Sequence, residues 1–204
     1  MKIYAFDFDG TLTTRDTLIA FIRYACGTSR FLFGFLLHAP LLVLMKLRLY
    51  SNGKAKQKVF EHFFKGMTIE TFDALCQDFA RTHRHLLRPE TVRQLEQALS
   101  EGAEVLIVSA SIDNWVKPFF ENLSNQSTQN NRSILILGTQ IEVNDGLLTG
   151  RFLTKNCYGQ EKVNRIIALY PHREEYHLTA YGDSRGDKEL LAFADESYYK
   201  PFRA

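Results

Sequence analysis

The order of apolar and polar positions divides the chain into a short strand, a long helical stretch and an alternating strand–helix remainder. Residues 2–6 (KIYAF) form a β-rich apolar run that breaks at Asp7-Phe8-Asp9-Gly10-Thr11, the pattern of a strand running into a loop. From 16 to 88 no strand pattern occurs. Residues 17–26, two pieces of 31–49, 54–65 and 69–87 have helix-compatible apolar spacing, separated by Gly27, Pro40, Ser51-Asn52-Gly53 and Gly66. Pro89-Glu90 starts a further helix that Gly102 ends. Then 104–108 (EVLIV) reads as a buried parallel strand, 114–123 as a helix, 124–132 as a polar surface loop and 134–143 as strand. Asn144-Asp145-Gly146 predicts a hairpin turn into 147–152. Helix at 160–169, strand at 176–181, helix at 188–193 and strand near 197–199 complete the series.

Strand–helix alternation over 90–204 implies βαβ units and a mostly parallel sheet. The all-helical block interrupts that alternation. The expected organisation is therefore an α/β core, Rossmann-like and built from residues 1–15 and 89–204, with an inserted helical domain at 16–88. A chain of 204 residues has room for one such core plus a modest insertion.

Composition adds little: 45% hydrophobic and 24% charged residues are ordinary for a globular protein, and a net charge of +2 argues against a nucleic-acid partner. Cys26, Cys76 and Cys157 lie far apart without metal-ligand spacing and read as free thiols. No signal-like segment precedes the first strand, so the default expectation is a cytoplasmic protein. One stretch pulls against that default. From Phe31 through Leu49 the chain is nearly all apolar, with Arg30 before it and Lys46 and Arg48 in its last turn. A spanning helix needs about 20 such residues, and His38 and Pro40 interrupt the run. A buried helical hairpin is the expectation, with peripheral membrane contact through the same residues as the alternative.

Chemistry concentrates where strands should end. Asp7 and Asp9 stand one residue apart at the end of the first strand, where open α/β sheets bind ligands. Two carboxylates that close repel unless a cation lies between them, which points to Mg²⁺ held by hard oxygen ligands. Ser109 ends the second strand, where a hydroxyl and backbone N–H groups suit an anionic oxygen. Lys162 sits in the first turn of a helix, where a cation is disfavoured without a compensating anion. Gly182-Asp183-Ser184-Arg185-Gly186-Asp187 follows another apolar strand and offers two further carboxylates.

In that order the four signals resemble the motif set of the haloacid-dehalogenase-like superfamily, across essentially the whole chain. The helical insertion between the first and second signals resembles the phosphoserine-phosphatase-like branch. The resemblance implies a Mg²⁺-dependent phosphatase acting through an aspartyl phosphate. Asp7 would be the nucleophile and Asp9 the general acid and base. Asp7, the Asp9 backbone carbonyl and Asp183 would hold Mg²⁺. Gly10, Thr11, Ser109, Ala110 and Lys162 would bind phosphate, and Asp187 would support the metal site or orient Lys162. Asp16 stands where that branch has a substrate-contacting acid, and it equally suits a helix cap. Against phosphoserine as substrate, Ser109-Ala110-Ser111 replaces Ser-Gly-Gly, and Gly186 stands in place of asparagine. Gly159-Gln160-Glu161-Lys162-Val163 and the apolar 31–49 segment are similar to phosphatidylglycerophosphate phosphatases of the same superfamily. The implied partner is thus a phosphorylated small molecule or a lipid headgroup. A phosphotransferase, or a silent phosphate- and Mg²⁺-binding module, is the alternative.

Overall fold

The computed structural model describes residues 1–123 and 134–203; the loop expected at 124–132 lies outside them. Strand β1 (Lys2–Phe6) lies in the middle of a five-stranded parallel sheet. β2 (Glu104–Ile112) and β3 (Ile134–Thr139) lie on one side of it, β6 (His177–Gly182) and β7 (Glu196–Tyr199) on the other. Tyr4 pairs with Val105 and with Thr179, so β1 is hydrogen-bonded along both edges. Its alternation serves two cores at once. Ile3 and Ala5 bury into a cluster with Leu106, Val108, Leu178 and Ala180, while Phe6 faces the larger cluster. Helices α6 (Gln160–Leu169) and α7 (Lys188–Phe193) cover the first side with Ile166 and Leu190. Helix α4 (Pro89–Ser100) covers the second with Leu95, Ala98 and Leu99. This is the α/β parallel-sheet architecture expected.

Between β1 and α4 come α1 (Thr17–Lys46), α2 (Asn52–Phe64) and α3 (Ile69–Thr82). The chain enters and leaves this helical insert through a two-strand neck. Thr13 bridges Leu87, Thr14 N donates to Leu86 O at 2.9 Å and Arg88 N to Leu12 O at 2.9 Å. Insert and sheet share one hydrophobic core: Phe21 stacks on Trp115 at 5.0 Å and meets Phe64, Phe72 and Phe79, and Phe79 reaches Phe119.

Several expectations are corrected. The 31–49 run is not a buried hairpin. It lies in the second limb of α1, which is helical from residue 28 to 46 beyond a break at Gly27 (φ 76°). Gly27 tolerates the left-handed conformation that breaks a helix, whereas Pro40 merely omits one N–H and keeps a helical φ. Only one face of α1 is covered: Phe35 packs on Phe63 at 6.2 Å and His38 on His62 at 5.0 Å. The opposite face is bare, with Phe33 67% and Leu36 74% exposed. The helix expected at 114–123 is interrupted: α5 (Asp113–Val116) gives way to a 3₁₀ turn over Lys117–Phe119, where Pro118 sits, and residues 121–123 are helical again. The strand expected at 134–143 divides at Gln140 into β3 and β4 (Ile141–Asn144). β4 leaves the main sheet and pairs antiparallel with β5 (Leu147–Phe152). Asp145 and Gly146 both take positive φ at the predicted turn, as a type I′ hairpin demands. The hairpin docks on the insert: Gly66 N donates to Leu148 O at 2.8 Å and Phe152 N to Gln57 Oε1 at 3.1 Å.

Candidate active site

Parallel strands deliver their C-terminal ends to one edge of the sheet, and chemistry collects there. Asp7 follows β1, Ser109 lies near the end of β2 and Asp183 follows β6. After Asp7 the backbone makes a single wide turn over Phe8–Leu12, with Gly10 at φ 82°. A Cβ at Gly10 would run into the Asp183 carboxylate, so glycine lets the two loops close on each other.

Lys162 is the hub of the site. Its buried ammonium donates to Asp7 Oδ1 at 2.6 Å and to Asp187 Oδ1 at 2.6 Å. The compensating anion that a lysine in the first turn of α6 requires is therefore two carboxylates. Burial works against the lysine's charge, but Asp7 and Asp187 outweigh it and hold its pKa above the ordinary lysine value. Asp187 is fixed in turn: its Oδ2 accepts from Asp183 N (3.2 Å), Ser184 N (2.9 Å) and Ser184 Oγ (2.8 Å). Burial would raise Asp187, yet Lys162 and these donors hold it below the usual carboxylate range. Asp7 fares differently. Burial pushes it up to about 7 against the pull of Lys162, with the Asp187 charge adding to the rise. One ammonium does not neutralise both carboxylates.

Thr11 Oγ1 donates to Asp7 Oδ2 at 3.3 Å and lies 3.5 Å from Asp183 Oδ1. Carboxylate oxygens of Asp7, Asp183 and Asp187 lie within 4.8 Å of one another. This is a set of hard, negatively charged oxygen donors, the chemistry that Mg²⁺ prefers. Burial raises Asp183, and the Arg203 guanidinium beside its Oδ2 opposes that rise. A cation is thus electrostatically welcome at this spot. The resemblance assigned Asp7, the Asp9 backbone carbonyl and Asp183 to the metal; the carboxylates that the structure gathers are Asp7, Asp183 and Asp187.

The Asp9 side chain points elsewhere. Its Oδ1 accepts from Thr17 N at 2.7 Å and Thr17 Oγ1 at 2.6 Å, and Ser111 Oγ donates to its Oδ2. Trp115 Nε1 donates to Thr17 Oγ1 at 3.2 Å, bracing the contact. Ser109 is buried, and its Oγ accepts from Ser111 N at 3.0 Å. Asp16 caps α1 by accepting from Leu18 N at 2.9 Å, as the helix-cap reading expects, and it also lines the cavity.

Asp7, Asp9, Ser109, Ala110 and Lys162 line a cavity of about 510 Å³, a volume suited to a small ligand. Its opposite wall is apolar and comes from α1: Leu18, Ile19, Phe35, Leu42 and Met45. Sequence reasoning missed Asn52, Tyr158 and above all Lys56 of α2 among the polar lining. Lys56 Nζ donates to Ala110 O at 2.7 Å. Burial lowers its pKa, while Asp9, Asp16 and Asp7 resist the fall. In sequence it is one of three alternating lysines (Lys54, Lys56, Lys58) and looks like part of a solvated face. Ser111, which holds Asp9, gave no separate signal beside Ser109 either.

Comparison with known proteins follows the same lines. The family described as haloacid dehalogenase-like hydrolase matches residues 4–192. Protein CicA of Caulobacter vibrioides is 36% identical over 204 residues, covering 98% of this chain and 86% of its own. Among solved structures, a protein of unknown function from Bordetella pertussis Tohama I superposes with a TM-score of 0.80 at 17% identity, over 97% of this chain and 89% of its own. A phosphoserine phosphatase captured as a phospho-aspartyl intermediate analogue superposes at 0.59 and 20% identity, over 97% and 85%. At these identities the structural likeness is one of fold.

Proposed function

Because the chain belongs to the haloacid dehalogenase-like hydrolase family, we propose that it is a Mg²⁺-dependent phosphomonoester hydrolase working through an aspartyl phosphate on Asp7. The observation that carries this reading is the buried Asp7–Lys162–Asp187 relay opening onto a cavity that Asp9 also lines. An oxygen of Asp7 attacks phosphorus and the P–O bond to the leaving group breaks. Asp9 gives the departing alkoxide its proton. Asp9 then takes a proton from water, whose oxygen attacks phosphorus and releases Asp7 and inorganic phosphate. Lys162 holds Asp7 in line and offsets charge on the transferring group, the main demand of phosphoryl transfer. Ser109, with the amides around Gly10 and Ala110, binds phosphoryl oxygens. Asp7 and Asp183 would hold Mg²⁺, which would supply further charge compensation. The same aspartyl phosphate would serve a phosphotransferase if an alcohol replaced water as acceptor.

The cavity has a charged floor and an apolar wall. It fits a phosphomonoester that carries an apolar portion, a lipid headgroup phosphate or an apolar metabolite. Three free thiols suit a reducing, cytoplasmic setting. Phosphate release from p-nitrophenyl phosphate should vanish with a chelator and return on adding Mg²⁺; release that persists without divalent metal refutes the reading. Rapid quenching with phosphoryl-labelled substrate should leave label on the protein that hydroxylamine removes.

Lys56 places a cation on the insert side of the cavity. The substitution Lys56→Gln is expected to raise KM roughly tenfold with a smaller change in kcat. An equal fall in kcat would put Lys56 on the reacting phosphoryl group instead.

A further inference from the structure

The outer face of α1 is the feature that the site does not use. Leu32, Phe33, Leu36, Leu37, Val43 and Leu44 recur at helical spacing, and all are exposed. Leu47 and Leu49 continue the face past the helix end, both exposed. Isolated exposed leucines are ordinary in soluble proteins, but a contiguous stripe of this length marks a contact surface. Its occupant can be read from charge. Residues 17–49, which carry the stripe, contain four Lys or Arg and no Asp or Glu, although the whole chain carries only +2. Arg30 lies before the stripe and Lys46 and Arg48 follow it, all three exposed. A second copy docked on this face, parallel or antiparallel, would set basic ends against basic ends. An anionic bilayer satisfies both halves of the surface, apolar side chains entering the acyl boundary and arginines and lysines meeting headgroups.

We infer that α1 lies in the plane of an anionic membrane surface, its bare face embedded and its inner face closing the active-site cavity. The inner face fixes the geometry. Phe35 both packs on Phe63 and lines the cavity, with Leu42 and Met45 beside it. A helix held on α2 by one side lies on a bilayer rather than crossing it, even though α1 is long and apolar enough to cross one. The mouth of the cavity then opens at the lipid surface.

The test is sedimentation of the full chain with phosphatidylglycerol vesicles and with phosphatidylcholine vesicles, at low and high salt. Pelleting with the anionic vesicles and release by high salt are expected. The double substitution Leu36→Asp/Leu44→Asp should abolish pelleting, and Arg30→Gln/Arg48→Gln should weaken it by roughly fivefold per charge. Both variants should hydrolyse p-nitrophenyl phosphate as the parent does, since none of the four residues lines the cavity. No pelleting with anionic vesicles, pelleting that Leu36→Asp/Leu44→Asp leaves intact, or pelleting that resists high salt overturns the inference. So does a salt-insensitive dimer that the leucine substitutions split. Vesicle binding without any phosphate release would overturn the hydrolase reading alone and leave docking in place.

Discussion

Replacing Asp7 by asparagine is expected to cut phosphate release by on the order of 10⁴-fold or more while leaving the protein at least as stable. The first half follows from chemistry: a carboxamide does not form the acyl phosphate. The second follows from electrostatics. Burial raises Asp7 to about 7 in the folded protein. A carboxyl whose folded pKa lies above its unfolded value weakens the fold as pH rises through that interval. At neutral pH asparagine removes that penalty, and Lys162 keeps Asp187 as partner. Urea denaturation beside a phosphate-release assay checks both halves. A variant that still turns over excludes Asp7 as nucleophile. One that is inactive and unfolded leaves the stability account wrong.

Lys162→Met is expected to do the reverse, losing activity and stability together. It strands Asp7 and Asp187 in a buried site without their ammonium, and breaking a buried pair this way costs about 3–5 kcal/mol. Removing a preorganised charge donor also lowers kcat by roughly 10²–10³-fold. The two predictions are coupled. In the double variant Asp7→Asn/Lys162→Met, part of the stability lost with Lys162 should return, because one stranded carboxylate has gone. Strictly additive losses would show that the 2.6 Å contact between Lys162 and Asp7 carries no energy.

Local pattern carried the features that were legible in the sequence. The apolar run before Asp7, the strand ending near Ser109, the Asp145-Gly146 turn and the glycine-flanked Asp183–Asp187 segment all declare themselves within a few residues. Lys162 was readable because a lysine in the first turn of a helix is locally unfavourable and asks for an anion. Lys56 was not, since its significance lies in a carbonyl 54 residues away. The Arg203 contact with Asp183 spans 20 residues and also has no local trace. The outer face of α1 failed for another reason. Apolar density says that a residue avoids water, and both a protein core and a lipid surface meet that condition. Gly27 and Pro40 both read as separators between helices; the helix breaks at the glycine as expected but tolerates the proline.

The central place of β1 has a consequence for the birth of the molecule. A ribosome makes this strand long before its neighbour β6, which begins only at His177. One edge of β1 can be taken early by β2, but the other waits, unpaired, until β6 is made. Such an edge invites pairing with a neighbouring nascent chain. Asp183 and Asp187 arrive with or after β6, so the carboxylate cluster with Asp7 is incomplete until that strand is in place. The closing of the sheet is what brings the proposed site together.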